Sequence, residues 1–129
     1  MKVEISLPGM EKNTLEKLEK IRRKTELKIE IEVKNLKEYR IVQKFGKGLV
    51  DIVMLDNFSI QNVKKAVLMN WNGYKIEISG GININNIIKY SGFSGINYIS
   101  VGALTHSTKS TDISLNFITW LINIYILNS

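Results

Sequence analysis

The sequence predicts an α/β fold, half of a β/α barrel with four parallel strands and intervening helices, on three observations. Four β-like hydrophobic runs, Lys28–Val33, Asp51–Asp56, Tyr74–Ser79 and Ile96–Gly102, recur with a period in the low twenties, which leaves room for one helix between strands. Each run gives out at a polar or glycine position, Glu32, Asp56, Ser79 and Gly102, and chemistry in such folds gathers at the C-terminal ends of the strands. The third observation is length. At 129 residues the chain is too short for a closed eight-unit barrel, which takes about 250, so four units make about half of one.

The elements follow in order. Pro8-Gly9 marks a turn, and Asn13 with Glu16 three residues on resembles a capping box. Leu15, Leu18 and Ile21 then fall at helical spacing, so residues 1–26 read as an amphipathic helix with a short lead-in. After the first strand run, Leu36, Tyr39 and Val42 indicate a second helix, ended near Phe45-Gly-Lys-Gly48. Ser59 is the expected N-cap of a third helix with Val63, Ala66 and Val67 on its apolar face, and Asn72-Gly73 is the turn before the next strand. Ile84–Tyr90 reads as a fourth helix.

Composition bounds the function classes. With 44% hydrophobic residues the chain is expected to form one domain over 1–129, burying roughly two-thirds of its unfolded surface. Zero cysteines exclude disulfides and thiolate metal sites. The segment Met1–Ser6 lacks the apolar core of a signal peptide, so a cytoplasmic protein is expected. Phe117–Leu127 is the most apolar stretch, but it carries Thr119 and Asn123 and is well short of the about 20 residues that span a bilayer. It reads as a packing element or a sticky tail, and no membrane partner is expected. The net charge of +6 attracts phosphates only if it is concentrated on one surface. Here Lys17, Lys20, Arg22, Arg23 and Lys24 are interleaved with Glu16, Glu19 and Glu26, the pattern of a solvated helix face. No nucleic-acid partner is expected.

Ser79-Gly80-Gly81 carries the most phosphate-like signal. Glycines after a strand let backbone amides approach an anion, and a helix N-terminus beyond them adds free N–H groups and a favourable dipole. Gly102-Ala103-Leu104 repeats the arrangement after the last strand. Taken alone, Glu32 and Asp56 are strand-end acids that cap a following helix. Glu77 either points into the barrel, where it orients nearby donors, or occupies an exposed alternate position. His106 is the only histidine, so no histidine metal pair exists. Trp71, Tyr74, Tyr98, Trp120 and Tyr125 are irregularly spaced and read as packing residues rather than a base-stacking platform.

Four ordered blocks carry a resemblance. Glu30-Ile-Glu-Val-Lys-Asn-Leu36, Met54-Leu-Asp-Asn57, Glu77-Ile-Ser-Gly-Gly-Ile82 and Ile99–Ser107 with Asp112-Ile-Ser-Leu115 closely resemble the quinolinate phosphoribosyltransferase family, also called carboxylating nicotinate-nucleotide pyrophosphorylases. The likeness runs from about Leu27 to Leu115, and four blocks in order are far more specific than one motif.

The resemblance implies transfer of the ribosyl phosphate of phosphoribosyl pyrophosphate to quinolinate. Pyrophosphate and one carboxyl group are lost, giving nicotinate mononucleotide for NAD biosynthesis with Mg2+ accompanying the pyrophosphate. It places Glu32 and Asp56 at the ribose hydroxyls and the metal shell as the catalytic pair. Ser79, Gly80 and Gly81 would hold the 5′-phosphate, and Gly102 and His106 would close the same end of the site, His106 as a phosphate or pyrophosphate donor. Glu77 would support them from behind. The family's Lys-Asp-Asn-His run has no counterpart in Val3–Gly9, and the Arg, Lys and His residues that grip quinolinate have no match in the chain. Residues 1–26 and 117–129 are atypical ends. A truncated or split enzyme is therefore expected, self-associating or taking a partner chain for the missing N-terminal half. The alternative is a non-catalytic, phosphate-binding or structural half-barrel remnant.

Overall fold

The structure is a computed structural model that describes residues 2–6, 12–101, 111–118 and 121–128. Its elements run β1 (Lys2–Ser6), α1 (Lys12–Lys24), β2 (Lys28–Val33), α2 (Leu36–Phe45), β3 (Ile52–Asp56), α3 (Ile60–Leu68), β4 (Lys75–Ser79), a 3-10 turn (Ile87–Tyr90), β5 (Tyr98–Val101), β6 (Thr111–Ile118) and β7 (Leu121–Asn128). All seven strands form one sheet in sequence order. Strands β1 to β5 pair in parallel, and β5–β6 and β6–β7 pair antiparallel.

The α/β class and the parallel half-barrel are as the sequence predicts, with one more parallel strand. Lys2-Val-Glu-Ile-Ser6 is too short to stand out by length, but its alternation of polar and apolar residues suits a strand with one face on the core. It lies in register beside β2, Lys2 opposite Lys28 and Ser6 opposite Glu32. The apolar tail also has a place, since Phe117–Leu127 straddles the end of β6 and most of β7.

The strand period of two sorts the side chains. Ile29, Ile31 and Val33 of β2, Val53 and Leu55 of β3, Ile76 and Ile78 of β4, and Ile99 and Val101 of β5 form one buried layer with Leu18, Tyr39, Val42, Val63 and Ala66 of the helices. Each such aliphatic burial contributes about 1.5–3 kcal/mol before the entropic cost of ordering. The alternate residues, Glu30 and Glu32, Met54 and Asp56, Glu77 and Ser79, Tyr98 and Ser100, share the opposite face, here the inner face. Two helices are fixed by local polar chemistry. The Asn35 side chain accepts the Glu38 N–H at 2.9 Å and Glu38 accepts the Lys34 N–H at 2.7 Å, which caps α2. Ser59 accepts the Asn62 N–H at 3.2 Å and caps α3. The buried Tyr39 hydroxyl donates to the Ala66 carbonyl at 2.6 Å, tying α2 to α3.

The expected helix over Ile84–Tyr90 is corrected to the single 3-10 turn Ile87–Tyr90. Asn83 Oδ1 accepts the N–H groups of Asn85 and Asn86 at 2.9 and 3.1 Å, and Asn86 Oδ1 accepts the N–H of Asn83 at 2.8 Å. These are the bonds of a capped turn, and the backbone beyond it continues only in bonds to the third residue back, Lys89 N–H to the Asn86 carbonyl and Ser91 N–H to the Ile88 carbonyl. The dipole expected behind Ser79–Gly81 is lost with the helix.

Candidate functional site

The strand ends converge on one rim of the inner face. Asp56 at the end of β3 stands opposite Ser79 at the end of β4, and Glu32 on β2 stands opposite Met54, one step lower. Lys34, missed in the sequence reading, bridges the two acids, its Nζ 3.5 Å from Glu32 Oε1 and 3.6 Å from Asp56 Oδ2. The charges of Glu32 and Asp56 raise the Lys34 ammonium above its ordinary value. A single cation between two carboxylates marks where positive charge is favoured on this rim.

The chain after β4 folds back on the end of β3. Asn57 takes a left-handed φ of 58° and its N–H donates to the Ser79 carbonyl at 2.8 Å. Gly80 has a φ of +88°, and a Cβ there would lie 2.7 Å from the Asn57 nitrogen and 2.9 Å from Asp56 Oδ1. Only glycine gives both the backbone angle and the clearance. Glu32, Asp56, Ser79, Gly80 and Gly81 are therefore brought together, the glycines by their loop and the others by register. Gly102 and His106 lie outside the described residues.

Beneath that rim lies a buried polar layer. Glu30 and Glu77 are 1% and 4% exposed on the inner face, which settles the orientation left open for Glu77. Lys2 Nζ reaches across from β1, 2.7 Å from Glu30 Oε2 and 3.2 Å from Glu77 Oε2, and the Ser100 hydroxyl donates to Glu77. Neither Glu30 oxygen has a hydrogen bond of good geometry. Burial first, then the facing Glu77 carboxyl, pushes Glu30 up to about 8 against the pull of Lys2. Burial alone would raise Glu77 too, but the facing Glu30 carboxyl, the Ser100 hydroxyl and the Lys2 charge bring it below its ordinary value. Burial likewise opposes the Lys2 charge, and the two glutamates outweigh it and raise the ammonium. The two carboxyls thus favour one retained proton between them, Glu30 the readier to hold it, beside the charged Lys2. Sequence reasoning missed Lys2, Glu30 and Ser100, although period-two alternation already placed Glu30 under Glu32.

A cleft of about 230 Å³ opens between these levels, lined by Glu4, Ile5, Glu30, Glu32 and Met54. The donors on the rim are oxygens only, which suits Mg2+ held by one or two carboxylates together with substrate phosphates and water. No cluster of three or more His, Cys, Asp or Glu that could cage a metal occurs among the described residues. The residues therefore fit a substrate-associated Mg2+ rather than a metal caged by protein. No helix among the described residues is long and apolar enough to cross a membrane.

Comparison with known proteins gives a consistent set of likenesses. A family model described as quinolinate phosphoribosyl transferase, C-terminal domain, matches residues 4–116. A probable carboxylating nicotinate-nucleotide pyrophosphorylase of Methanocaldococcus jannaschii is 42% identical over 98 residues, covering 70% of this chain and 33% of that protein. Its namesake in Bacillus subtilis is 35% identical over 102 residues, covering 79% of this chain and 35% of that protein. The solved nicotinate-nucleotide pyrophosphorylase of Francisella tularensis superposes with a TM-score of 0.68 at 27% identity, covering 99% of this chain and 41% of that one. The chain spans about a third of the length of the curated relatives it matches.

Proposed function

The chain belongs to the quinolinate phosphoribosyl transferase C-terminal domain family, and we propose that it forms the strand-end part of a phosphoribosyl transfer site. The reaction is that of the family's carboxylating nicotinate-nucleotide pyrophosphorylases. The quinolinate ring nitrogen bonds to C1 of the ribose as the bond to pyrophosphate breaks, and the adjacent carboxylate leaves as carbon dioxide, the electron pair left on the ring carbon taking a proton from water, giving nicotinate mononucleotide. The observation that carries the reading is the convergence of Glu32, Asp56, Ser79 and Gly80 on one rim of the inner face.

Each group has work that suits its chemistry. Glu32 and Asp56 accept the ribose hydroxyls, and their negative charge stabilises the cationic ribose as pyrophosphate departs, the electrostatic contribution that usually dominates catalysis. The Ser79 hydroxyl and the Gly80 and Gly81 backbone hold the 5′-phosphate, with Gly102 and His106 closing that end. Glu32 and Asp56 would hold Mg2+, which neutralises charge on the leaving pyrophosphate. Glu77 supports Ser79 from one step below on the same strand.

Groups outside these 129 residues, on a longer chain, another copy or a partner chain, complete the site. Quinolinate presents two carboxylates, whose natural partner is the arginine fork. The three arginines of the chain, Arg22, Arg23 and Arg40, all lie on α1 and α2, the helices that pack on the other side of the sheet. A second reading, phosphate binding without turnover, is favoured by the antiparallel strand β6 on the edge of β5, where a closing barrel would place another parallel strand.

Calorimetry with phosphoribosyl pyrophosphate and Mg2+ tests both. Binding that disappears in Ser79→Asp, accompanied by nicotinate mononucleotide formation once quinolinate is added, supports the transfer site. The same binding with no product in any assembly supports the second reading. Binding unchanged in Ser79→Asp overturns the phosphate assignment.

A further inference from the structure

The opposite end of the inner face carries a second concavity, which the reading above does not use. A cavity of about 320 Å³ opens at the N-terminal ends of the strands, among Lys28 of β2, Lys75 of β4, Tyr98 of β5 and the loops that hold Lys47 and Gly73. Its volume falls in the range of small-molecule clefts, about 300–1,000 Å³. Three lysines line it against one acid, Asp51. That acid is already engaged, since Asp51 Oδ2 accepts Arg22 Nη1 at 3.0 Å and the Ile29 N–H at 2.8 Å. Lys28 Nζ stands 4.0 Å from Asp51 Oδ1, and Lys47 and Lys75 form no ion pair among the described residues. Gly48 and Gly73 border the cavity with φ of +80° and +67°, and a Cβ at either would meet nothing within 4 Å. The loops thus leave the space open.

We propose that this cavity is a binding site for a small multivalent anion of the phosphate class. Lysine is a compact, flexible point charge well suited to phosphate oxygens. Three of them around one concavity favour an entering anion, by an attraction that salt screens because their side chains are exposed. The Tyr98 ring and hydroxyl supply an apolar wall with one polar tip. The site is at the other end of the strands from Glu32, Asp56 and Ser79, so it stands independently of the transfer reading. An anion here neutralises a basic pole directly beneath the buried layer of Lys2, Glu30 and Glu77.

The test uses inorganic tripolyphosphate on the full chain without Mg2+, followed by calorimetry and by amide chemical shifts. Saturable binding is expected at this cavity, with shifts at Lys28, Lys47, Gly48, Gly73 and Lys75. Affinity should fall with ionic strength and by about tenfold, or about 1.4 kcal/mol, in Lys47→Glu. Lys47 is an exposed loop residue, so this variant keeps the fold, and an unchanged thermal midpoint checks it. Lys75→Gln should weaken binding independently, while Ser79→Asp should leave it intact. No saturable binding, undiminished affinity in both lysine variants, or shifts confined to Ser79–Gly81 would each overturn the proposal.

Discussion

Replacing Gly80 by alanine while using Gly81→Ala as its own control separates backbone strain from steric exclusion at the end of β4. Both glycines have left-handed backbones, with φ of +88° and +67°. An alanine in that region costs roughly 1–2 kcal/mol. At Gly81 the nearest atom to the new methyl is Asn57 Oδ1 at 3.8 Å, an ordinary contact, so strain is the whole cost. At Gly80 the methyl would sit 2.7 Å from the Asn57 nitrogen and 2.9 Å from Asp56 Oδ1. The first of these is backbone, held by the 2.8 Å hydrogen bond from Asn57 to Ser79, and cannot swing aside. Breaking that bond and shifting the loop adds about 1–3 kcal/mol. Gly80→Ala should therefore destabilise by about 3 kcal/mol and Gly81→Ala by about 1 kcal/mol, read from urea denaturation at constant m. The Asp56 carboxylate moves with the loop, so Gly80→Ala should also weaken Mg2+-dependent binding of phosphoribosyl pyrophosphate more than Gly81→Ala does. Equal destabilisation by the two substitutions would refute the packing argument at this rim.

Three further outcomes follow from named contacts. Asp51→Ala should cost about 2 kcal/mol, because it strands the Ile29 N–H and removes the ion pair with Arg22, which keeps only its bond to the Leu27 carbonyl; a thermal midpoint within a degree of the parent would contradict that role. Lys34→Met removes the ammonium shared by Glu32 and Asp56 and should tighten Mg2+ binding about two- to fivefold, the scale of an exposed ion pair. Weaker Mg2+ binding in calorimetry would move the metal away from these two acids. The buried layer sets a pH dependence whose sign is fixed. Glu30, raised from its ordinary 4.5 to about 8, keeps a proton in the folded chain that the unfolded chain has released, so stability falls as pH climbs through that window. Glu77, lowered below 4.5, acts oppositely, and its contribution is lost as pH falls through its depressed value. In Glu30→Gln the fall between pH 5 and 8, followed by denaturation at each pH, should flatten; an undiminished slope would place the proton elsewhere.

What the sequence displayed and what it concealed divide along a physical line. Repeated apolar runs, their polar ends, the Leu36, Tyr39 and Val42 spacing and the Ser59 and Gly80 signals are local, and they located β2 to β5, α2, α3 and the rim residues. The same local reasoning failed where a capped turn does not go on into an α-helix. Asn83 and Asn86 lie in a stretch whose isoleucines suggest a helix, yet their amides cap a turn that one 3-10 turn follows. Lys2 and Glu77 are separated by 75 positions and meet only because four parallel strands bring them side by side. No periodicity in the chain encodes that meeting.

That concealed layer is also what makes the legible residues usable. An open inner face carrying four unpaired acids over adjacent strands would repel itself. One lysine from the edge strand and one retained proton leave Glu30, Glu77 and Lys2 neutral as a group, so the remaining negative charge lies on Glu32 and Asp56 at the rim and on the exposed Glu4 at the sheet edge, 3.7 Å from Lys2 Nζ. A cation arriving there meets two carboxylates restrained by a single exposed lysine, while the floor beneath neither attracts nor repels it. Glu77→Gln, which removes the ionised member while keeping its shape, should thus lower stability more than it alters Mg2+ affinity. A large loss of Mg2+ binding with unchanged stability would mean that Glu77 faces the cation directly and that the neutral floor does not exist.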